Sequence, residues 1–249
     1  MTERAHGALA LRHRAVAELV GTAFLVAAVV GSGIAAQRLS PNDFGLQLLE
    51  NALATGAALA ALIIALQPVS AAFNPVVTAL ERLTGALTSR HTVTLVAAQI
   101  LGGLVGVVVA NLMFSEPAVS LSTTVRGGPG RWLGEVVATA GLVLLIAALS
   151  RSGRPQLFGW AVGAYITAGY WFTSSTSFAN PAVTIARMFS DTFAGIQPAS
   201  VPMFLLAQIA GGTIGYGLAW AIYRRPALIA NAQEDPNELD AAEGRSSRR

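Results

Sequence analysis

The sequence predicts an all-α membrane protein of six transmembrane helices and two re-entrant half-helices, arranged as an inverted repeat. Three features predict this fold: the composition, the lengths of the charge-free stretches and the recurrence of several motifs. Of the 249 residues, 53% are hydrophobic and only 12% are charged, whereas soluble domains usually carry about 25% charged residues. There is no cysteine, and the three histidines are not at metal-ligand spacing. We therefore expect no disulfide, no metal and no other cofactor.

The charge-free stretches predict the number of spans, because about 20 apolar residues cross a bilayer. The first apolar run, from Val16, is long enough to span, and no small-residue cleavage site follows it. This pattern argues against a signal peptide. The predicted spans are 19–37, 46–66, 92–115, 132–150, 157–172 and 201–223.

Two of the charge-free stretches, 51–80 and 155–186, are too long for one span and too short for two. Each contains a full span followed by an Asn-Pro motif. We expect the segments 74–83 and 180–188 to form short helices that enter the membrane and return. Non-helical backbone at that depth is tolerated only where it lines a cavity or is buried in protein. These segments therefore indicate a pore or a binding site.

The chain contains an internal repeat, because three kinds of motif occur twice in the same order. They are a Glu-containing segment at the start of a span, an Asn-Pro-x-Val-Thr segment and an Ala-Gln-Ile-x-Gly-Gly segment. A repeat of three spans reverses its orientation in the membrane, and inverted repeats place the functional site near the midplane. The paired segments are 17–23 and 134–140, 74–78 and 180–184, and 98–103 and 207–212.

The repeat predicts one membrane domain at 14–223, with repeat one at 14–114 and repeat two at 131–223. A short cytoplasmic segment at 1–13 precedes it, and a polar tail at 224–249 is expected to be disordered and cytoplasmic. Near the span ends, nine arginines lie on one side and four on the other. The positive-inside rule then places both termini in the cytoplasm. Because every basic residue is Arg and Ala is abundant, we expect a bacterial inner (plasma) membrane protein.

The paired Asn-Pro motifs have a direct physical meaning. Asn is a favoured N-cap and Pro is favoured at the first helical position, so each motif begins a helix. Two such helices that enter from opposite faces meet head to head, and each N-terminus carries about half a positive charge. The side-chain amides of Asn74 and Asn180 can then donate hydrogen bonds to a passing neutral solute, while the positive helix ends repel cations.

Two glutamates occupy equivalent repeat positions inside the apolar pattern, Glu18 and Glu135. An ionisable residue inside a span suggests a buried role. We expect each carboxylate to accept hydrogen bonds from the irregular backbone that precedes a half-helix, which is an architectural role. The alternative is that both glutamates lie at the membrane interface.

Together these features resemble the aquaporin (major intrinsic protein) family over nearly all of 14–223. The resemblance implies a homotetramer in the lipid bilayer, with a separate pore in each subunit. It also implies a selectivity filter at Thr55 (or Ala54), Ala168, Ser177 and Val183. The arginines lie between apolar stretches, so we expect no nucleic-acid partner despite the basic composition. The residues of the pore-centre motifs are Asn74, Pro75, Val76, Asn180, Pro181 and Ala182.

The sequence departs from the family pattern at three places. Val76 stands where the family has Ala, and we expect altered packing rather than a lost pore. The loop before Asn74 lacks the His that the family usually has. Val183 stands where the family usually has Arg, so the filter is expected to be wide and weakly polar. Arg187 follows four residues later on the same helix face. It either supplies a displaced charge at the outer mouth or faces headgroups or an adjacent subunit.

The segments 177–187 and 191–196 resemble a bacterial aquaporin subgroup associated with arsenic-resistance genes. The expected function is passive passage of small neutral solutes: water, glycerol-like solutes and metalloid hydroxides such as arsenous acid. Two alternatives are a narrow water-selective aquaporin and an ion-coupled inverted-repeat transporter. An intramembrane enzyme is discounted, because the spans lack a Ser/His, paired-Asp or metal-ligand set.

Overall fold

The computed structural model describes the backbone of residues 2–223 and the side chains of residues 11–223. Within that range the regular structure is helical, and the predicted tail at 224–249 lies outside the described residues. The helices are α1 (Thr2–Leu39), α2 (Phe44–Leu66), α3 (Pro75–Leu83), α4 (Ser89–Met113), α5 (Pro129–Arg151), α6 (Phe158–Phe172), α7 (Pro181–Ala186) and α8 (Val201–Ile222).

The all-α membrane fold predicted from the sequence is confirmed. Segments of α1, α2, α4, α5 and α8 are long and apolar enough to cross a membrane. The remaining predicted span, α6, has 15 residues and rises about 22 Å at 1.5 Å per residue, which is less than the usual bilayer core. A 3₁₀ turn at Pro155–Leu157 precedes it. The two half-helices are α3 and α7, and α7 continues into a 3₁₀ turn at Arg187–Phe189.

The packing of the helices follows the repeat. In repeat one α1 packs along α4, and in repeat two α5 packs along α8, while α2 packs on α6 between the repeats. The half-helix α3 contacts both α4 and α8, and α7 likewise contacts both α8 and α4. Each half-helix is therefore held between the last spans of the two repeats.

Glycines allow the two long helix pairs to approach closely. A Cβ at Gly102 or Gly106 of α4 would collide with a backbone carbonyl oxygen of α1. Equivalent collisions would occur between α8 and α5, because Gly211 and Gly215 lie against carbonyl oxygens there. Small residues at such crossings let membrane helices pack backbone to backbone. This packing fixes the frame that carries the half-helices.

Candidate functional site: a pore between two half-helices

Both half-helices begin with the same cap. The Asn74 side-chain oxygen accepts from the backbone N–H of Val76 at 3.0 Å, with Pro75 in the first turn. The Asn180 oxygen accepts from the N–H groups of Ala182 at 3.0 Å and Val183 at 3.3 Å. Both asparagines have extended backbone dihedrals, as N-caps do.

The two caps are joined directly to each other. The Nδ2 of Asn74 donates to the carbonyl oxygen of Ala179 at 2.7 Å, and the Nδ2 of Asn180 donates to the carbonyl oxygen of Phe73 at 2.7 Å. The half-helices therefore meet head to head, each asparagine bonded to the residue that precedes the other. A side-chain amide has two N–H groups, so each asparagine keeps one that these bonds do not use.

The loops that lead into the half-helices are strained. Phe73 and Ala179, just before the two asparagines, have φ of 46° and 47°. Thr176 and Ser177 also lie in this left-handed region, with φ of 62° and 49°. Non-glycine residues in such conformations cost about 1 to 3 kcal/mol each and persist only where the surroundings hold them. These loops must therefore be held by contacts from outside.

In repeat one the holding group is the carboxylate of Glu18, which is fully buried. It accepts hydrogen bonds from the Ser70 hydroxyl at 2.6 Å, the Ala72 N–H at 2.9 Å and the Phe73 N–H at 2.7 Å. Gln99 Nε2 donates to the same carboxylate at 2.8 Å. The bonded donors include the irregular backbone just before Asn74.

In repeat two Glu135 occupies the equivalent place and is also fully buried. Its carboxylate accepts from the N–H groups of Phe178 at 2.8 Å and Ala179 at 2.9 Å. Gln208 Nε2 donates to it at 2.7 Å and to the Thr184 hydroxyl at 2.8 Å. Both glutamates are therefore enclosed by protein rather than exposed on its surface.

The two glutamines were missed as site residues in the sequence, where their motif suggested helix packing alone. Each one ties a scaffold glutamate to a threonine of the neighbouring half-helix: Gln99 also donates to the Thr78 hydroxyl at 2.8 Å. The signal that points to them is their recurrence, since a fully buried Gln occupies the same place in both repeats.

A single cavity of about 230 Å³ runs past both asparagines. At one end it is lined by Arg14 and Glu81, whose side chains form an ion pair at 3.4 Å. At the other end it is lined by Val183 and Arg187. Most of the wall is apolar, and residues of both loops contribute to it. The cavity has the form of a pore through the meeting point of the half-helices.

Three of the four predicted filter residues line this cavity. Thr55, Ser177 and Val183 are buried and lie around the same end as Arg187. Thr55, rather than the alternative Ala54, is the α2 residue on the cavity. The structure therefore brings Thr55 of α2 to the same cavity as Ser177 and Val183, which lie more than about 100 residues later in the chain.

Ala168, the fourth predicted filter residue, requires a correction. It is exposed on the outer surface of α6 and does not line the cavity. Tyr170 of the same helix lines it instead, with Ile166 one turn earlier. Residues two apart on an α-helix differ by about 200° in direction, so Ala168 and Tyr170 face opposite sides. The motif spacing that points to Ala168 crosses the irregular loop before Asn180, where residue number does not follow a helical period.

Arg187 is buried, with 2% of its surface exposed. Its guanidinium carbon lies 3.5 Å from the centroid of the Phe178 ring, and its Nε donates to the Ala194 carbonyl oxygen. Of the placements open from the sequence, the structure therefore has Arg187 inside the subunit and lining the cavity. A desolvated guanidinium on an aromatic face is a favourable cation–π contact.

Arg126 is a second cation near Phe178, and nothing in the sequence pointed to it. It comes from the loop between the repeats, 5.1 Å from the Phe178 ring centroid. It donates to the carbonyl oxygens of Gly195 at 2.7 Å and Phe193 at 3.1 Å. Burial, together with repulsion from Arg187 and Arg131, lowers the pKa of Arg126 to about 9. It therefore remains cationic at pH 7.

Neither cation has a carboxylate partner in the described part of the chain. The ion pairs found there are Arg14–Glu81 at 3.4 Å and Arg38–Glu116 at 2.7 Å. The field of Arg126 and Arg187 at this end of the cavity is thus not neutralised by a contacting acid. Unpaired positive charge beside a narrow passage opposes the entry of cations.

Comparison with known proteins agrees with this architecture. The family model described as major intrinsic protein matches residues 7–177. The chain is 49% identical to aquaglyceroporin AqpS of Rhizobium meliloti over 209 residues, which cover 84% of this chain and 89% of that protein. A shorter stretch of 68 residues is 43% identical to an aquaporin of Laccaria bicolor and covers 26% of this chain and 19% of that protein.

The fold is also that of a solved structure, the aquaglyceroporin of Plasmodium falciparum. The two superimpose with a TM-score of 0.66 over 89% of this chain and 99% of that chain, at 17% identity. Membrane-spanning helices around two head-to-head half-helices, with a cavity that passes both caps, are the architecture of a membrane channel. This chain belongs to the major intrinsic protein family, as its motifs predicted, and is a channel rather than an enzyme.

Proposed function

We propose that this protein is a passive channel for small uncharged solutes rich in hydroxyls. The class includes water, glycerol-like solutes and metalloid hydroxides such as arsenous acid. The observation that carries the proposal is the cavity that passes both cap asparagines, each with one amide N–H free of intramolecular bonds. A relative named as an aquaglyceroporin, at 49% identity, supports the same solute class.

The pore centre selects neutral solutes through Asn74 and Asn180. A permeating hydroxyl oxygen accepts from the free amide N–H of each asparagine in turn, which offsets part of the hydration that it loses. The two half-helix N-termini face this point, and their partial positive charges disfavour a cation there. Pro75 and Pro181 begin the half-helices, and Val76 and Ala182 follow them, so these four residues position the two asparagines.

The filter lies at the Arg187 end and consists of Thr55, Ser177 and Val183 together with the Arg187 charge. Val183 has no polar group, so the passage there is wider than an arginine side chain would leave it. Arg187, held against Phe178, provides the positive charge from a position further out. A wide but cationic filter admits solutes larger than water while it still excludes cations.

Glu18 and Glu135 hold the loops of the pore rather than take part in transport. Each buried carboxylate is surrounded by N–H and O–H donors from its loop and from a glutamine. Both oxygens of each carboxylate already accept hydrogen bonds within the protein, and neither glutamate lines the cavity, so they are poorly placed to bind a coupling cation. This arrangement favours a channel over an ion-coupled transporter.

The test is a stopped-flow assay on proteoliposomes of the purified protein, with empty liposomes as the control. Light scattering would report water and glycerol permeability, and arsenous acid entry would be measured by elemental analysis of the vesicles. We expect all three to exceed the control, with no uptake against a gradient. Passage of water alone would contradict the proposal and favour a narrow water-selective pore, and uphill uptake would favour a transporter.

The assembly and orientation follow from the same proposal. We expect a homotetramer in a bacterial inner membrane, with both termini cytoplasmic. Apolar side chains exposed on the outer faces of α1, α2, α4 and α8 are available for lipid and for neighbouring subunits. Because the chain has no cysteine, a single cysteine placed at Ser89 or Pro117 would be a unique label. An impermeant thiol reagent added outside should label only the Pro117→Cys variant. Labelling of Ser89→Cys alone would show that the protein has the opposite orientation.

A further inference from the structure

The aromatic side chain of Tyr170 reaches the filter end of the cavity, and no motif in the sequence indicated it. Tyr170 is 4% exposed and lines the cavity with Thr55, Ser177 and Val183. Its hydroxyl lies 3.2 Å from Oγ1 of Thr55, so the two side chains form a hydrogen bond between α6 and α2. Thr55 belongs to repeat one and Tyr170 to repeat two, and the bond forms where α2 and α6 pack together.

The three faces of α6 explain why Tyr170 occupies this place. Val162, Ile166 and Tyr170 are spaced by four residues and line the cavity. Gly163 is packed against α2. Ala168 lies on the third face, which is exposed. A period of 3.6 residues keeps these faces apart along the whole helix.

The chemistry of the filter gives the Tyr170 hydroxyl a specific task. A permeating hydroxyl group needs an acceptor for its proton as well as a donor for its oxygen. The guanidinium of Arg187 is a donor only, and the cap asparagines lie at the pore centre rather than in the filter, with their side-chain oxygens directed at half-helix N–H groups. Hydroxyl oxygens are therefore the side-chain acceptors that the filter can offer.

The acceptors at this point come from the Thr55–Tyr170 pair. Ser177 also lines the cavity, but its own hydroxyl is enclosed by protein close to Gly169. The Thr55–Tyr170 pair shares one proton between two oxygens, so the pair retains lone pairs and one O–H for a solute. Such a cluster can accept and donate within one small volume.

We propose that Tyr170 is a specificity-determining residue of this pore, whose ring sets the width of the filter and whose hydroxyl, paired with Thr55, receives the protons of polyhydroxylated solutes. This inference rests on the proposed function and deepens it, because it assigns the discrimination between polyols and water to one side chain. Tyr170 takes the filter position that motif spacing assigns to Ala168.

The test compares two substitutions on α6 that are two residues apart. In the Tyr170→Phe variant the ring remains and the hydroxyl is lost, so the ratio of glycerol to water permeability should fall about fivefold, the effect of one neutral hydrogen bond. Ala168→Leu is the matched control. Its side chain points away from the cavity and should leave the ratio unchanged, whereas a filter residue enlarged in this way would block glycerol.

A third variant, Tyr170→Ala, tests the ring itself. Removal of the ring should raise the permeability to a four-carbon polyol relative to glycerol, with the same elution volume as the wild type in size-exclusion chromatography. An unchanged glycerol-to-water ratio in Tyr170→Phe, or a loss of glycerol flux in Ala168→Leu, would overturn the assignment of Tyr170.

Failure of the proposed function would be distinguishable from failure of this assignment. If the wild type passes water but not glycerol, the proposed solute class is wrong. Tyr170 is still tested in that case, because Tyr170→Ala should then admit glycerol if the ring sets the width. Exclusion of glycerol by that variant would refute the role of the ring.

Discussion

Replacement of Arg187 by leucine should make the pore leak cations. Arg187 is buried, lines the cavity and has no contacting carboxylate in the described part of the chain. Leucine fills a similar space next to Phe178 but carries no charge. If Arg187 supplies the cationic barrier of the filter, its removal should increase proton and K⁺ conductance while glycerol still passes.

The expected size of the effect follows from Coulomb's law. A monovalent cation that passes about 5 Å from the guanidinium is repelled by about 3 kcal/mol at an effective dielectric constant of about 20. That energy corresponds to a change of roughly 200-fold in rate. In fully hydrated surroundings the repulsion falls to about 0.8 kcal/mol, or roughly fourfold. We therefore expect the cation leak of Arg187→Leu to exceed that of the wild type by a factor between roughly fourfold and roughly 200-fold.

The assay is proton and K⁺ leak into proteoliposomes loaded with a pH-sensitive dye, measured with and without valinomycin. Arg187→Lys is the control, because it keeps the charge while it loses the planar contact on Phe178 and the Nε donor to Ala194. A wild-type cation leak in Arg187→Lys together with an increased leak in Arg187→Leu would identify the charge as the cause. No increase in Arg187→Leu, or an equal leak in both variants, would refute the electrostatic reasoning.

Three further predictions concern the filter, the helix packing and the loop scaffold. Val183→Arg places a second guanidinium in the filter and should reduce glycerol flux at least about tenfold while water flux is spared. A tenfold effect corresponds to a rise of about 1.4 kcal/mol in the barrier to glycerol. Unchanged glycerol flux would show that Val183 does not line the constriction. Gly215→Ala should lower the thermal unfolding midpoint in detergent, since overpacking costs about 1 to 3 kcal/mol, whereas Gly217→Ala, with open space around it, should not. Glu135→Gln presents an N–H₂ group to surrounding donors and should destabilise the protein by about 2 kcal/mol or more. A thermal unfolding midpoint and a glycerol flux equal to those of the wild type would contradict the scaffold role.

Some of these features were readable from the sequence because they depend on local chemistry. Apolar stretches of span length give α1, α2, α4, α5 and α8 directly, since a bilayer requires internally satisfied helices. An Asn-Pro dipeptide begins a helix whatever surrounds it, so the starts of α3 and α7 follow from the motifs alone. Recurrence of the motifs is enough to predict two halves of opposite orientation.

The filter could not be read in the same way. Ala168 was predicted by spacing from Asn180, but the intervening loop contains three residues with left-handed dihedrals. In such a loop, distance along the chain no longer predicts direction in space. Tyr170 occupies the cavity because α6 packs with its glycine face on α2, and that packing is a tertiary property.

The cation-rich end of the pore depends on tertiary structure even more strongly. Arg126 lies in the loop between the repeats and reaches Phe178 only because this loop pairs with the segment after α7, for example through the bond from Ser122 N–H to the Met188 carbonyl at 2.8 Å. Arg187 was identified in the sequence, but either a cavity position or a headgroup position was compatible with its place on the helix.

The sequence by itself thus determined the class of protein, the half-helix starts and the glutamates that hold them, because each rests on a local pattern that recurs in both repeats. Only the tertiary structure decided which side chains surround the solute path. That choice depends on how α2, α6 and the two long loops pack together, and a single-residue change in loop register turns a helix face by about 100°. Repeated motifs predict the pore, whereas its selectivity depends on contacts between segments that no motif connects.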